Sequence, residues 1–520
     1  MIRIDLNGAT PLSVSQTKLQ SLYTKTLSVC KNDLVMGKFI GKGCYGSVYK
    51  SQLAGLNVAV KVFHQRPRGE KVDKFISEMS LLQSSHHKNV VLFIGLCKEP
   101  NRVSIVTEYI PMDLDKLLHH QEDIVGIDFS KFDFSFENKI NIAEQCALGI
   151  QWVHNRFDII HKDIKPPNFL VDSDFTVKIC DFGFAEVLTD DVRYEGTPMY
   201  SSPEIINKTP GLGKATDIYS FGITLWEIFY RAQPFREYLA SFKDSITLFA
   251  NFINKGGRPF MPGEATEDTD PQHYREYYEY EMQSTPLEIE NLIKRCWSAD
   301  PLLRPDINEL VKSLSDIKLR MMLGNNSSVE WWKTHVLSQL SSSETSTNSA
   351  LFLEELNLTF SDTKETPEKQ HFSEILSKVG EENQVDLERF SFLLSVFGEF
   401  VTKKELFQKM INVFQQQWYF PLVPREVALS FLEGQIDGTF MVRESHSTPT
   451  HPLTLSKREN GTTVNSRIKC TLNKDNEITY SITTKGFSIT NNNLCAIVEQ
   501  LISNGVVTVP CRKEINDSIY

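Results

Sequence analysis

Two cations interrupt runs that otherwise read as buried strands: Lys61 in Val58-Ala59-Val60-Lys61-Val62, and Arg443 in Phe440-Met441-Val442-Arg443. A charge withdrawn from water without a partner is costly, so each position asks for an anion. For Lys61 the chain offers Glu78, in a helical segment with Phe75, Met79 and Leu82. For Arg443 a phosphate ester is a suitable anion, because a guanidinium forks onto its oxygens in a bidentate manner.

The surroundings of Lys61 sharpen the first demand. Upstream lies Ile40-Gly41-Lys42-Gly43-Cys44-Tyr45-Gly46-Ser47-Val48, between two stretches of strand character. Glycines at these spacings let a hairpin approach a phosphate chain without Cβ collision and turn N–H groups toward it. Alone this pattern is weak, since many Gly-rich hairpins hold no ligand. Downstream, His161-Lys162-Asp163-Ile164-Lys165-Pro166-Pro167-Asn168 follows an apolar helix-like run containing Ile142, Ala143, Cys146, Ile150 and Val153. Thirteen residues past Asn168 stands Asp181-Phe182-Gly183, after the strand-like Val177-Lys178-Ile179-Cys180. Two carboxylates and an amide, all acceptors for hard cations, thus fall in one short region. Phosphoryl transfer from ATP requires a carboxylate near the attacking hydroxyl, oxygen ligands for Mg²⁺ and positive charge along the phosphates.

In order and spacing, residues 34–318 resemble the protein-kinase signature set. The resemblance implies a two-lobed kinase fold with ATP and Mg²⁺ as cofactors. It places Ile40 to Val48 over the phosphates, Lys61 on the α- and β-phosphates with Glu78 orienting it, and Glu108 and Ile110 at the hinge backbone that meets adenine, with Thr107 at the back of that pocket. It implies Asp163 as the base that orients the substrate hydroxyl, Lys165 as the γ-phosphate neutraliser, and Asn168 and Asp181 as Mg²⁺ ligands. Leu82, Phe93, His161 and Phe182 fall on the family's hydrophobic spine, although core packing alone explains them equally well.

Gly196 to Glu204 resembles the end of an activation segment, with Ser202 in place of the usual alanine. The resemblance pairs Glu204 with Arg304 and sets Asp217 to brace the catalytic loop. Lys165 and Thr197 are Ser/Thr-kinase features, whereas Cys296 to Pro305 is a closing signature shared with tyrosine kinases; together they imply the tyrosine-kinase-like group. Lys162 stands where most kinases carry arginine, and a lysine is a point charge without the fork that grips a loop phosphate. Thr189, Tyr194 and Thr197 are candidate loop phosphosites. Cys44 and Cys180 fall near ATP; small apolar fillers are the simpler reading, since no adjacent base is evident.

The second cation lies in Gly438-Thr439-Phe440-Met441-Val442-Arg443-Glu444-Ser445, preceded by Trp418-Tyr419-Phe420 and by Pro424-Arg425-Glu426 in a helical stretch. This pattern resembles SH2 domains, which read phosphotyrosine peptides. The resemblance implies Arg443 as principal phosphate ligand, Arg425 as a second contact and Ser445 in the phosphate loop. Arg467 replaces the histidine usual near that position. A tyrosine-kinase-like domain followed by an SH2 domain resembles the Shk-type dual-specificity SH2 kinases.

Between the two lie a Ser/Thr-rich run, Ser341 to Thr347, expected as a solvated tether, and two helical patterns. One is Leu387, Phe390, Leu394 and Phe397. The other is Leu406, Met410 and Phe414, behind a capping-box-like Thr402 to Glu405. The pattern also breaks near Gly324 to Ser328. The expected organisation is α+β: an extension over 1–33, a kinase domain over 34–318, a helical linker over 319–417, and over 418–513 an SH2 domain with a central antiparallel sheet flanked by two helices.

At 520 residues the chain exceeds one hydrophobic core, and no apolar run nears the length that spans a bilayer. A net charge of −11 argues against nucleic acid as partner. Residues 418–520 hold ten basic and ten acidic side chains, so the excess lies earlier. Nine cysteines without a C-x-x-C pair suit a reducing compartment. With no leader pattern at Met1-Ile2-Arg3 and no glycine for myristoylation, the expectation is a soluble, cytoplasmic monomer that can be recruited peripherally to membranes. Its partners would be protein substrates and phosphotyrosine proteins. The competing class is a kinase-like scaffold that only bridges such proteins; the full set Lys61, Glu78, Asp163, Asn168 and Asp181 argues against it.

Overall fold

A computed structural model describes residues 29–511 apart from 44–45, 64–85, 182–197, 262–284, 341–345, 360–383, 399–403, 446–450 and other stretches of at most three residues. The chain divides into two compact units, residues 1–318 and 319–520.

The first unit opens with a six-stranded antiparallel sheet of β1 (Leu34–Val35), β2 (Phe39–Gly43), β3 (Gly46–Leu53), β4 (Leu56–Phe63), β5 (Phe93–Glu99) and β6 (Arg102–Glu108). The order β1-β3-β4-β6-β5 makes β4 central. Its alternation is strict: Val58, Val60 and Val62 point into a core with Leu53, Ile94 and Val106, and Lys61 occupies the other face. Lys61 is therefore not buried among the valines beside it, which is how one strand carries both.

Below this sheet the unit is mainly helical. Helix α1 (Leu114–His119) starts on Asp113, whose carboxylate caps the Lys116 N–H. Helix α2 (Phe136–Phe157) is capped by Ser135 and ends on left-handed Asp158. Gly149 lets α2 lie against the small sheet beneath it, since a Cβ there would meet Asn89 O at 2.6 Å and the Ile179 side chain at 3.0 Å. That layer is β7 (Met112–Asp113), β8 (Phe169–Val171) and β9 (Val177–Ile179). Helix α3 (Ala215–Tyr230) is buried along nearly its whole length, and α4 (Leu287–Cys296) packs on it at Gly222, where a Cβ would touch the Cys296 side chain at 2.7 Å. Leu310 and Leu314 of α5 (Ile307–Leu323) complete the same core.

In the second unit, helices and sheet share one core. Trp331 and Trp332 of α6 (Asn326–Trp332), Phe352 of α7 (Ser349–Thr359), Phe390 and Phe397 of α8 (Leu387–Phe397), and Met410 and Phe414 of α9 (Lys404–Phe414) join Tyr419, Phe440 and Val442 of the sheet. The sheet runs β12 (Tyr419–Phe420), β13 (Thr439–Glu444), β14 (Leu453–Glu459), β15 (Thr462–Leu472), β16 (Ile478–Thr484) and β17 (Phe487–Asn491), with β18 (Val509–Pro510) on β13. Pairing from β13 to β17 is antiparallel, whereas β12 and β18 run parallel to β13. Helices α10 (Arg425–Leu432) and α11 (Leu494–Ser503) complete it.

Two expectations change here. Ser346 and Thr347, read as tether, lie in β10 (Ser346–Asn348), which pairs with β11 (Gln384–Asp386) and buries Thr347. The break near Gly324 is short, because Asn326 already starts α6 and Ser328 is fully buried. Leu387, Phe390, Leu394 and Phe397 do face the core, as do Met410 and Phe414. The Leu406 side chain and the Thr402 capping pattern lie outside the described residues.

Candidate functional site

The segment His161 to Asn168 is built where α2 gives way to β8. Asp217, on α3 and fully buried, accepts the His161 and Lys162 backbone N–H groups at 2.7 Å each, and pairs with His154 Nε2 at 2.7 Å. This brace holds Lys162 at a left-handed φ of 66°, a strained geometry for a residue with a Cβ. His161 Nε2 meets the Cys180 carbonyl at 2.9 Å, and the Cys180 N–H donates to the Asn168 carbonyl at 2.9 Å. The segments on either side of β8 and β9 are thereby joined.

Asp163 stands on this frame with both oxygens held. Lys165 Nζ lies 2.8 Å from Oδ1, and Asn168 Nδ2 donates to Oδ2 at 2.8 Å. The side chain is still 45% exposed, open to an incoming group. Lys61 pairs directly with Asp181 Oδ1. Burial pushes the Asp181 carboxyl up, but the Lys61 ammonium outweighs it and holds the group below its ordinary value. Asp181 thus stays a carboxylate at neutral pH, and Asn168, its NH₂ occupied by Asp163, keeps its amide oxygen as a ligand atom. These are oxygen donors of the kind Mg²⁺ takes, so the residues fit the ion.

The glycine hairpin divides by cause. A Cβ on Gly46 would meet Val62 O at 2.4 Å, so strand packing alone demands glycine there. A Cβ on Gly41 would meet nothing within 4 Å, so packing does not explain that glycine. Ile40 and Lys42 are exposed, and Val48 is paired with Lys61 across β3 and β4.

At the end of β6, the Glu108 carboxylate turns inward. It accepts the Leu92 N–H at 2.8 Å and is gripped by Lys178 Nζ at 2.9 and 3.0 Å. Any contact of Glu108 with a base therefore belongs to its backbone. Ile110 is buried beside it. Glu204 and Arg304 form a two-point pair at 2.6 and 3.0 Å. Glu78, Leu82, Cys44, Tyr45, Phe182, Thr189, Tyr194 and Thr197 lie outside the described residues.

In the second unit Arg443 is only 8% exposed. Among the described residues its guanidinium meets the Ser456 hydroxyl and the Glu444 carbonyl, each at 3.2 Å, and no carboxylate. Thr454 is its direct neighbour on β14, and Arg467 is the neighbour of Thr454 on β15, so Arg443, Thr454 and Arg467 form one row on one face. Burial, then the charge of Arg425, pushes the Arg443 pKa down, which places the exposed Arg425 within electrostatic reach. Ser445 N–H closes on Pro452 O at 2.7 Å. Arg443 and Arg467 thus share one face, and the charges of Arg425 and Glu426 both act on the Arg443 guanidinium.

Residues 34–314 match the model of the protein kinase domain, just over half of the chain. The chain belongs to the protein kinase family. In this kinase, residues 418–503 match the SH2 domain. It is 30% identical over 495 residues to "Dual specificity protein kinase shkD" of Dictyostelium discoideum, covering 91% of this chain and 60% of that one. With "Dual specificity protein kinase shkE" of the same organism it shares 28% over 496 residues, 91% and 64% of the two chains. With "Serine/threonine-protein kinase CTR1" of Arabidopsis thaliana it shares 35% over 209 residues, 39% and 24%. The kinase thus spans about three fifths of the length of the first two relatives.

The sequence reading missed Lys178 as the partner of Glu108, and Arg389 as the partner of Glu444. Lys178 did carry a signal: it is another lone cation in an apolar strand.

Proposed function

We propose that the chain is an ATP-dependent kinase that phosphorylates Ser/Thr and also Tyr hydroxyls of proteins, guided by its SH2 module to phosphotyrosine-bearing partners in cytoplasmic signalling. The observation that carries this is Asp163 held by Lys165 and Asn168, one loop from the Lys61–Asp181 pair. Bound ATP with Mg²⁺ supplies the γ-phosphoryl group. Asp163 accepts the proton of the substrate hydroxyl and aims its oxygen. Lys165 neutralises developing negative charge, and Lys61 binds the phosphates beneath Ile40 to Val48. Asn168 and Asp181 would hold the metal, and the Glu108 and Ile110 backbone the base. The two Dictyostelium relatives, each named a dual specificity protein kinase, support dual specificity. Arg443, with Arg425 and Arg467 nearby and Ser445 in the adjoining loop, would take the phosphotyrosine.

Phospho-amino-acid analysis of the autophosphorylated chain should return phosphotyrosine alongside phosphoserine or phosphothreonine; phosphotyrosine missing from the products would refute the dual-specificity part. In the same material, Arg443→Ala should cost about 2–5 kcal/mol in phosphopeptide affinity, as for a desolvated charge pair that loses one member. Unchanged affinity would refute the docking role.

A further inference from the structure

Arg443 sits on a strand whose next residue is anchored from behind. Successive side chains of β13 point to opposite faces, so Glu444 leaves the sheet on the side away from the anion row. There it is buried, its Oε2 accepting Arg389 Nη1 at 2.6 Å and its Oε1 accepting the Tyr419 hydroxyl at 3.0 Å. Arg389 is itself fixed. Its N–H is capped by Asp386 at the start of α8, its guanidinium lies 5.4 Å from the Phe392 ring, and the next residue, Phe390, stacks on Trp332 at 4.9 Å. Glu444 is also tied to the anion row directly, its backbone carbonyl receiving Arg443 Nη1 at 3.2 Å.

Stability alone does not explain the pair. Arg389 is 6% exposed, yet among the described residues its Nε and Nη2 have no hydrogen-bond partner. A buried ion pair with unmet donors is a weak stabiliser that apolar residues could replace. Its geometric effect is specific: it pins the strand end from which Arg443 reaches.

We propose that Arg389, a residue of the helical segment before the SH2 domain, is a positioning residue for Arg443, acting through Glu444 to fix the anion-binding arginine. The inference rests on the phosphotyrosine reading above. It makes α8 a support for the phosphotyrosine site.

The test uses the full chain, a phosphotyrosine peptide pool of degenerate flanking sequence and its unphosphorylated twin, reading Kd and Tm together. Arg389→Met leaves Glu444 uncompensated and should lower Tm and raise Kd about tenfold, within the range by which coupled neighbours affect one another. The double variant Arg389→Met/Glu444→Gln removes both charges and keeps an acceptor for Tyr419. It should regain Tm while Kd stays raised. If Kd is unmoved in Arg389→Met, or returns to the wild-type value together with Tm in the double variant, the pair is only structural and the inference fails. Arg443→Ala separates the two levels: if it retains the preference for the phosphorylated pool, the phosphotyrosine reading itself falls, and the inference with it.

Discussion

The Glu204 carboxyl of this kinase is matched to Arg304, and that neighbour decides the direction of its pKa shift. Glu204 is pushed up by burial and pulled down further by Arg304, so its folded pKa ends below the ordinary value. A carboxyl depressed in the folded state contributes stability above its unfolded pKa and loses it as pH falls through the folded one. Glu204→Gln should therefore destabilise the first unit at neutral pH, by about 3–5 kcal/mol since it strands a buried Arg304. In urea titrations the gap from wild type should shrink as pH drops below about 4.5, the unperturbed glutamate range. A gap that widens with acid would show that the pair does not act this way. Cys180 behaves as a filler: burial, then the Asp181 charge, pushes its thiol well above the ordinary value.

At the scale of elements, legibility followed contiguity. His161 to Asn168 and Asp181 were readable because residues that share a task lie within a few positions, and the brace from Asp217 came with the family pattern. The Glu108–Lys178 pair was not readable, since its members sit on β6 and β9, 70 residues apart, and each alone looks like a strand charge. Arg389 and Glu444 are hidden for the same reason, separated by 55 residues. Strand β10 was obscured by composition: Ser346 and Thr347 suit a tether until β11 supplies a ladder for them. Lys178→Met should leave the buried Glu108 carboxylate without its lysine and cost about 3–5 kcal/mol in urea unfolding. A loss below 1 kcal/mol, the value of an exposed pair, would contradict the burial of this contact.

At the scale of the molecule, the helices between kinase and SH2 domains belong to the second core. Phe414 meets Tyr419 at 5.2 Å between ring centroids, and the Tyr480 hydroxyl of β16 donates to the Val396 carbonyl of α8 at 2.8 Å. A fragment of residues 418–520 would expose this face and leave Glu444 without Arg389. It should unfold at lower urea than residues 319–520; equal midpoints would show the helices to be dispensable.

The central claim is that this chain transfers phosphate, with Asp163 handling the substrate proton. Transfer of labelled γ-phosphate from ATP and Mg²⁺ should fall about 10²–10⁴-fold in the full-length Asp163→Ala variant, the contribution of a positioned general base. Equal transfer by wild type and variant would contradict the account.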